Sequence, residues 1–74
     1  MVNYDFLKSI ETDLFYQMVR RGIIPVHIMD WIVIYEYFLN ELKENSKTVS
    51  IVATADHYNC SDKTIYNIIK FMKN

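Results

Sequence analysis

The chain has one glycine, one proline and one cysteine in 74 residues. Turn-rich β architectures draw heavily on glycine and proline at hairpins, bulges and edges, so their scarcity excludes most such folds and favours helices. A lone cysteine excludes an internal disulfide and suits a reducing compartment, so a cytoplasmic location is expected. Charge of one sign is lacking too. The formal net charge of −1 supports by itself neither a nucleic-acid nor a membrane partner. Long apolar runs are missing: the most apolar stretch, 23–39, is interrupted by Pro25, His27, Asp30 and Glu36 and is too broken to span a bilayer. The opening MVNYDFLKS has no charged-then-apolar export pattern, so no export is expected.

The chemistry of an enzyme is also missing. A single glycine leaves no glycine-rich phosphate loop. His57 and Cys60 have the spacing of metal ligands, but no third or fourth ligand stands at usable distance in the sequence. As a nucleophile pair they would place the thiol in a packed turn, inert by burial. His27 stands alone and reads as a solvated or packed histidine. The chain is therefore not expected to be an enzyme, nor to carry a metal, a cofactor or a small-molecule substrate.

What is present is apolar surface. Half of the residues are hydrophobic, 51%, in a chain of 74, near the lower limit for a self-sufficient core. A monomer of this size cannot hide all of that surface, so self-association is expected. A first helix is expected from a cap at Asn3 to about Arg21, with Leu7, Ile10, Leu14 and Met18 as its core stripe. Arg20 and Arg21, then Gly22, then Pro25 mark its end. The two arginines complement the helix dipole there, and phosphate contact is the alternative. Residues 23–29 form a connector. A long helix then runs from about Asp30 to Glu44, with Trp31, Ile32, Tyr35, Leu39 and Leu42 as its main stripe and Phe38 beside it. Val33, Ile34 and Tyr37 lie around the rest of that cylinder. A helix apolar nearly all round is central to a core or shared with a partner, so Val33 and Tyr37 are the candidate dimer interface; the alternative is that they are ordinary exposed residues.

The last third is the most regular part. Ile65, Ile68, Ile69 and Met72 recur at helical spacing, with Lys63, Asn67 and Lys70 opposite. Ser61 is placed to cap this helix, and Asp62 suits the positive end of its dipole. Before it lies a shorter helix with Ser50 as the expected cap and Ile51, Val52, Ala55 and Tyr58 as packing positions. β-Branched residues dominate 48–54, but a strand there has no second strand to pair with and is rejected. Tyr58-Asn59-Cys60 must end one helix and start the next, which calls for a left-handed residue, and Asn59 is suited to it. Cys60 is expected to plug the turn.

Ala55, Asn59, Cys60, Ser61, Thr64, Ile65 and Ile68 together resemble the helix-turn-helix pattern. Within that class the segment looks most like the C-terminal modules of phage Mor-type activators and short transposase-like DNA-binding domains. The resemblance covers about residues 49–73. It departs from the pattern at Thr54, where an aliphatic residue is usual, and at Asn59, where glycine is common. It implies an all-α bundle of about four helices in one domain, 1–74. Residues 1–45 would provide support and possible dimerisation, and residues 46–74 the helix-turn-helix.

The implied function is sequence-dependent binding of double-stranded DNA, in transcription regulation or as a phage or mobile-element accessory factor. The implied readers are Ser61, Asp62, Lys63, Tyr66, Asn67, Lys70 and Lys73. Lys63 can donate to guanine or to a phosphate, and Asn67 can make a paired contact with adenine. Tyr66 suits a phosphate or a thymine methyl. Lys70 and Lys73 suit phosphates. Asp62 can accept from cytosine or serve the helix dipole alone. Charge is consistent with this division: residues 1–45 hold four Lys/Arg against seven Asp/Glu, and residues 46–74 four Lys against two Asp. So weak a basic excess makes a monomer a poor binder at physiological salt, a second reason to expect a homodimer. The alternative is a helical protein-interaction module that binds no DNA.

Overall fold

Ile65, Ile68, Ile69 and Met72 form one face of a helix, as their spacing requires, and none is more than 5% exposed. The computed structural model, which describes residues 3–25 and 27–74, sets this face against the other helices of an all-α chain. In order these are α1 (Asn3–Ser9), α2 (Thr12–Arg20), α3 (His27–Leu42), α4 (Lys47–His57) and α5 (Asp62–Lys73). No strand occurs among the described residues, and 48–54 is helical.

One core joins α3, α4 and α5. Phe38 and Tyr35 from α3 meet Ile51 and Ala55 from α4 and the four apolar residues of α5. Burying side chains of this kind contributes about 1.5–3 kcal/mol each. The stripe of α3 is centred on Phe38, with Trp31, Ile32, Leu39 and Leu42 partly buried around it. The helix begins at His27, earlier than Asp30, so Asp30 lies in its first turn and not at its cap.

Two expectations about α4 are corrected. Its cap is Ser46, whose hydroxyl accepts from the Val49 amide at 3.3 Å. Ser50 is instead inside the helix and fully buried, donating to the Ser46 carbonyl at 2.8 Å. Thr54, also fully buried, donates in the same way to the Ser50 carbonyl at 2.7 Å. Both hydroxyls are therefore satisfied within their own helix, which lets polar residues occupy aliphatic positions. Val52 does not pack: it is 51% exposed, on the side of α4 away from Ile51 and Ala55.

The N-terminal segment departs further. It is two helices, giving five among the described residues where about four were expected. The break lies at Ser9–Glu11, where the Ile10 amide bonds the Leu7 carbonyl at 3.4 Å and the Ser9 hydroxyl donates to the Phe6 carbonyl at 2.6 Å. Glu11 is then extended (φ −57°, ψ 139°) and α2 starts afresh. Of the stripe Leu7, Ile10, Leu14 and Met18, Leu7 packs partly buried against the core, whereas Leu14 is half exposed and α2 buries no residue. Asn3 does not act as the cap expected of it. It is the first described residue of α1, and its side-chain amide donates to the Phe71 carbonyl at 2.8 Å, satisfying an end group of α5.

The boundary at Gly22 is as expected. Gly22 has φ 75°, its amide bonds the Val19 carbonyl, and the Ile23 amide reaches back to Met18, the paired bonds of a Schellman C-terminus. No helix among the described residues is long and apolar enough to cross a membrane.

Candidate nucleic-acid interface

The turn between α4 and α5 repeats the same C-terminal chemistry with asparagine in place of glycine. Asn59 has φ 54° and is the one non-glycine described residue in the left-handed region. Its amide bonds the Asp56 carbonyl, and the Cys60 amide bonds Ala55 at 2.9 Å. Cys60 is partly buried against the core. Ser61 follows at once as the cap of α5: its hydroxyl accepts from the Thr64 amide at 3.2 Å and lies 3.0 Å from the Thr64 hydroxyl. One helix therefore ends and the next begins within Tyr58–Ser61.

The polar side of α5 lies where periodicity puts it. Ser61, Asp62, Lys63, Tyr66, Asn67, Lys70 and Lys73 are all exposed. At about 100° per residue, Asp62, Lys63, Tyr66, Asn67, Lys70 and Lys73 occupy one continuous arc of roughly 140°, and the buried isoleucines and Met72 lie across the axis. Lys63, Lys70 and Lys73 have no carboxylate in ion-pair range among the described residues, where the one ion pair is Lys8–Glu36 at 3.3 Å. The C-terminal end of α5 is occupied by α1 through Asn3. The N-terminal half, carrying Ser61 to Asn67, stays open. Its length from Asp62 to Lys73, about 18 Å, and a helix diameter of about 10–12 Å match the dimensions of a DNA major groove.

Neighbouring parts of the structure add what sequence reasoning missed. Lys47, in the first turn of α4, is an exposed fourth cation on the same half of the chain; its signal was the Ser46 cap, obscured by the serine at 50. Val49 and Val52 are exposed on α4. A groove of about 390 Å³ runs between α3 and the turn, lined by Asp30, Trp31, Tyr58, Cys60 and Thr64 among others.

The two residues assigned to a dimer face are placed differently from each other. Val33 is 55% exposed. Tyr37 is partly buried and its ring is stacked on His57, with centroids 4.3 Å apart at 13°, and meets Tyr58 edge-on at 5.5 Å. This aromatic cluster braces α3 against the end of α4. Desolvation first, and then the nearby Glu41 carboxylate, raise the Tyr37 pKa. His27, exposed, has its ring 5.1 Å from Trp31. Among the described residues no three His, Cys, Asp or Glu side chains are grouped to hold a metal ion.

A second set of contacts fixes α1 on α3 and so supports the rear of α5. The Tyr4 hydroxyl donates to Glu36 Oε2 at 2.9 Å, and Lys8 pairs with the same oxygen. The Tyr4 ring meets Tyr35 edge-on at 5.0 Å. Burial, with the Glu36 bond and charge adding to it, pushes the Tyr4 hydroxyl up to about 12. Trp31 packs edge-on against Phe71 at 5.6 Å, which ties α3 to the same end of α5.

No protein-family model, curated protein or solved structure matches this chain.

Proposed function

We propose that this protein binds double-stranded DNA, with α4, the turn at Asn59 and α5 acting as a helix-turn-helix and α5 as the helix that enters the major groove. The observation that carries this reading is the exposed arc of α5: every side chain able to reach bases or phosphates is in solvent, on a helix whose other face is locked into the core. Lys63 and Asn67, near the open N-terminal half, are the base-reading pair. Lys70 and Lys73 hold phosphates, and Ser61 and Tyr66 flank them. Asp62 serves the helix dipole and can accept from cytosine. The biological setting that fits is transcription regulation or an accessory role in a phage or other mobile element, within a reducing cytoplasm.

Few cations per protomer mean that one protomer binds weakly at physiological salt and that two protomers on two half-sites bind far better than one. Fluorescence anisotropy with a generic duplex at low salt tests the reading. Wild type binds, and the triple variant Lys63→Ala, Asn67→Ala, Lys70→Ala loses binding while keeping its helical content. Equal binding by both proteins would refute it.

A second reading, a protein-interaction module without DNA binding, is favoured by one observation. Phe6, Leu14, Tyr16, Ile23 and Val33, all in the N-terminal half, are each at least half exposed. If that reading held, substitutions on this half would abolish function and those on α5 would not.

A further inference from the structure

The N-terminal half of α3 does not close on the start of α5. Between them lies the groove of about 390 Å³, within the range of roughly 300–1,000 Å³ that small-molecule pockets occupy. Asp30, Trp31 and Ile34 line it from α3; Ile34 is three residues from Trp31 and four from Asp30, so the three share one side of that helix. Thr64 and Ile68, one turn apart on α5, form the facing wall, and Tyr58 lines it from the turn. Both large rings are braced from behind. Trp31 meets Phe71 edge-on at 5.6 Å, and Tyr58 meets Tyr37 and His57 edge-on at 5.5 and 4.8 Å. Each is still only partly buried, so aromatic surface is left open to the groove in a fixed position, and an occupant needs little rearrangement to bind.

Charge indicates what the occupant is. Among the described residues that line the groove, Asp30 alone carries a formal charge, and no Lys or Arg is present. The one ion pair among the described residues is Lys8–Glu36, so no described cation neutralises the Asp30 carboxylate. Asp30 lies in the first turn of α3, where the helix end contributes about half a positive charge, less than the full charge of the carboxylate. A carboxylate beside two aromatic rings attracts a cation. The hydrogen-bonding groups select which kind. A primary ammonium brings three donors and a strongly held water shell, whereas the groove's hydroxyls are those of Tyr58 and Thr64, and the Thr64 hydroxyl already lies 3.0 Å from that of Ser61. An alkylated cation has no donors to satisfy. The apolar floor at Ile34 and Ile68, with the rings of Trp31 and Tyr58, suits an aromatic body.

We infer that the groove between α3 and the α4–α5 turn binds a small alkylated organic cation with an aromatic body, its charge held by Asp30 and its ring lodged between Trp31 and Tyr58. This function goes beyond the DNA reading and needs no DNA, so the two stand or fall separately.

Titration of the full chain with benzyltrimethylammonium, at constant ionic strength and without DNA, tests it. Trp31 is the chain's one tryptophan, so intrinsic fluorescence reads the groove itself. Wild type shows a saturable change in emission with a Kd below about 1 mM. Benzyl alcohol, which keeps the ring without the charge, and choline, which keeps the charge without the ring, each bind at least roughly fivefold more weakly. Asp30→Asn weakens binding of the cation by roughly fivefold to tenfold with unchanged circular dichroism, because Asp30 is exposed and outside the core. Asp13→Asn, on α2, leaves binding unchanged. Amide shifts induced by the cation fall on Asp30–Ile34 and Tyr58–Thr64. Emission that changes only linearly with concentration, as in collisional quenching, overturns the inference. So does benzyl alcohol or choline binding as tightly as the aromatic cation, a folded Asp30→Asn variant that binds like wild type, or a set of shifts centred on α1 and α2.

Discussion

Asn59 carries the turn between α4 and α5, and its replacement isolates a backbone effect. The residue has φ 54° and an exposed side chain, so truncation removes little packing. The left-handed region costs an ordinary L-residue about 1–2 kcal/mol, less for asparagine and nothing for glycine. Asn59→Ala should therefore destabilise by about 1 kcal/mol. Asn59→Val, β-branched, should cost more, on the order of 2 kcal/mol. Asn59→Gly relieves the strain but adds backbone freedom to the unfolded chain, so it should be neutral within about 0.5 kcal/mol. For a domain of this size 1 kcal/mol moves Tm by about 4–8 °C, well within the reach of thermal unfolding followed by circular dichroism. The order glycine equal to asparagine, then alanine, then valine is the expected result. An alanine variant as stable as wild type, or a glycine variant as unstable as the valine one, would refute the claim that the turn requires a left-handed residue at position 59.

Other perturbations follow the same contacts. Ser61→Ala removes the hydroxyl that accepts from the Thr64 amide and should cost about 1 kcal/mol, read as a lower urea midpoint with unchanged m-value. Thr54→Val keeps the buried volume and deletes only a bond made within α4, so it should change stability by less than about 1 kcal/mol, whereas Thr54→Ala leaves a cavity and should cost about 1–2 kcal/mol. Alkaline pH acts through Tyr4. Its folded-state value, about 12, lies above the ordinary tyrosine value of 10.0, so the folded state holds the proton more tightly. The associated stabilisation is complete below pH 10 and is lost as pH rises toward 12. Denaturant midpoints should fall across that window in wild type and fall less in Tyr4→Phe; parallel curves would show that Tyr4 is not the group involved.

Much of the C-terminal half was legible in the sequence because its determinants are local. The stripe Ile65, Ile68, Ile69, Met72, the Ser61 cap and the left-handed Asn59 each lie within a few residues of the structure they specify. The same holds for Gly22. The exposed arc of α5 follows from the buried one by periodicity alone. The N-terminal half was harder because an apolar repeat can run unbroken through a helix break. Leu7, Ile10, Leu14 and Met18 keep helical spacing, while the backbone turns extended at Glu11 between α1 and α2. Two serines four apart made the cap of α4 ambiguous, and Ser50 went inside because its own helix satisfies it. Long-range pairings left no local trace: nothing near Tyr37 announces that its ring will lie on His57, nor does anything near Asn3 announce its bond to Phe71.

The proposal that α5 contacts DNA is tested most directly by an amide chemical-shift titration of the labelled chain with a generic duplex, at low and at physiological salt. Shifts concentrated on Ser61–Lys73 that shrink as salt rises are the result the reading requires. A spectrum that does not move at low salt, or moves only in α2 and α3, would contradict it.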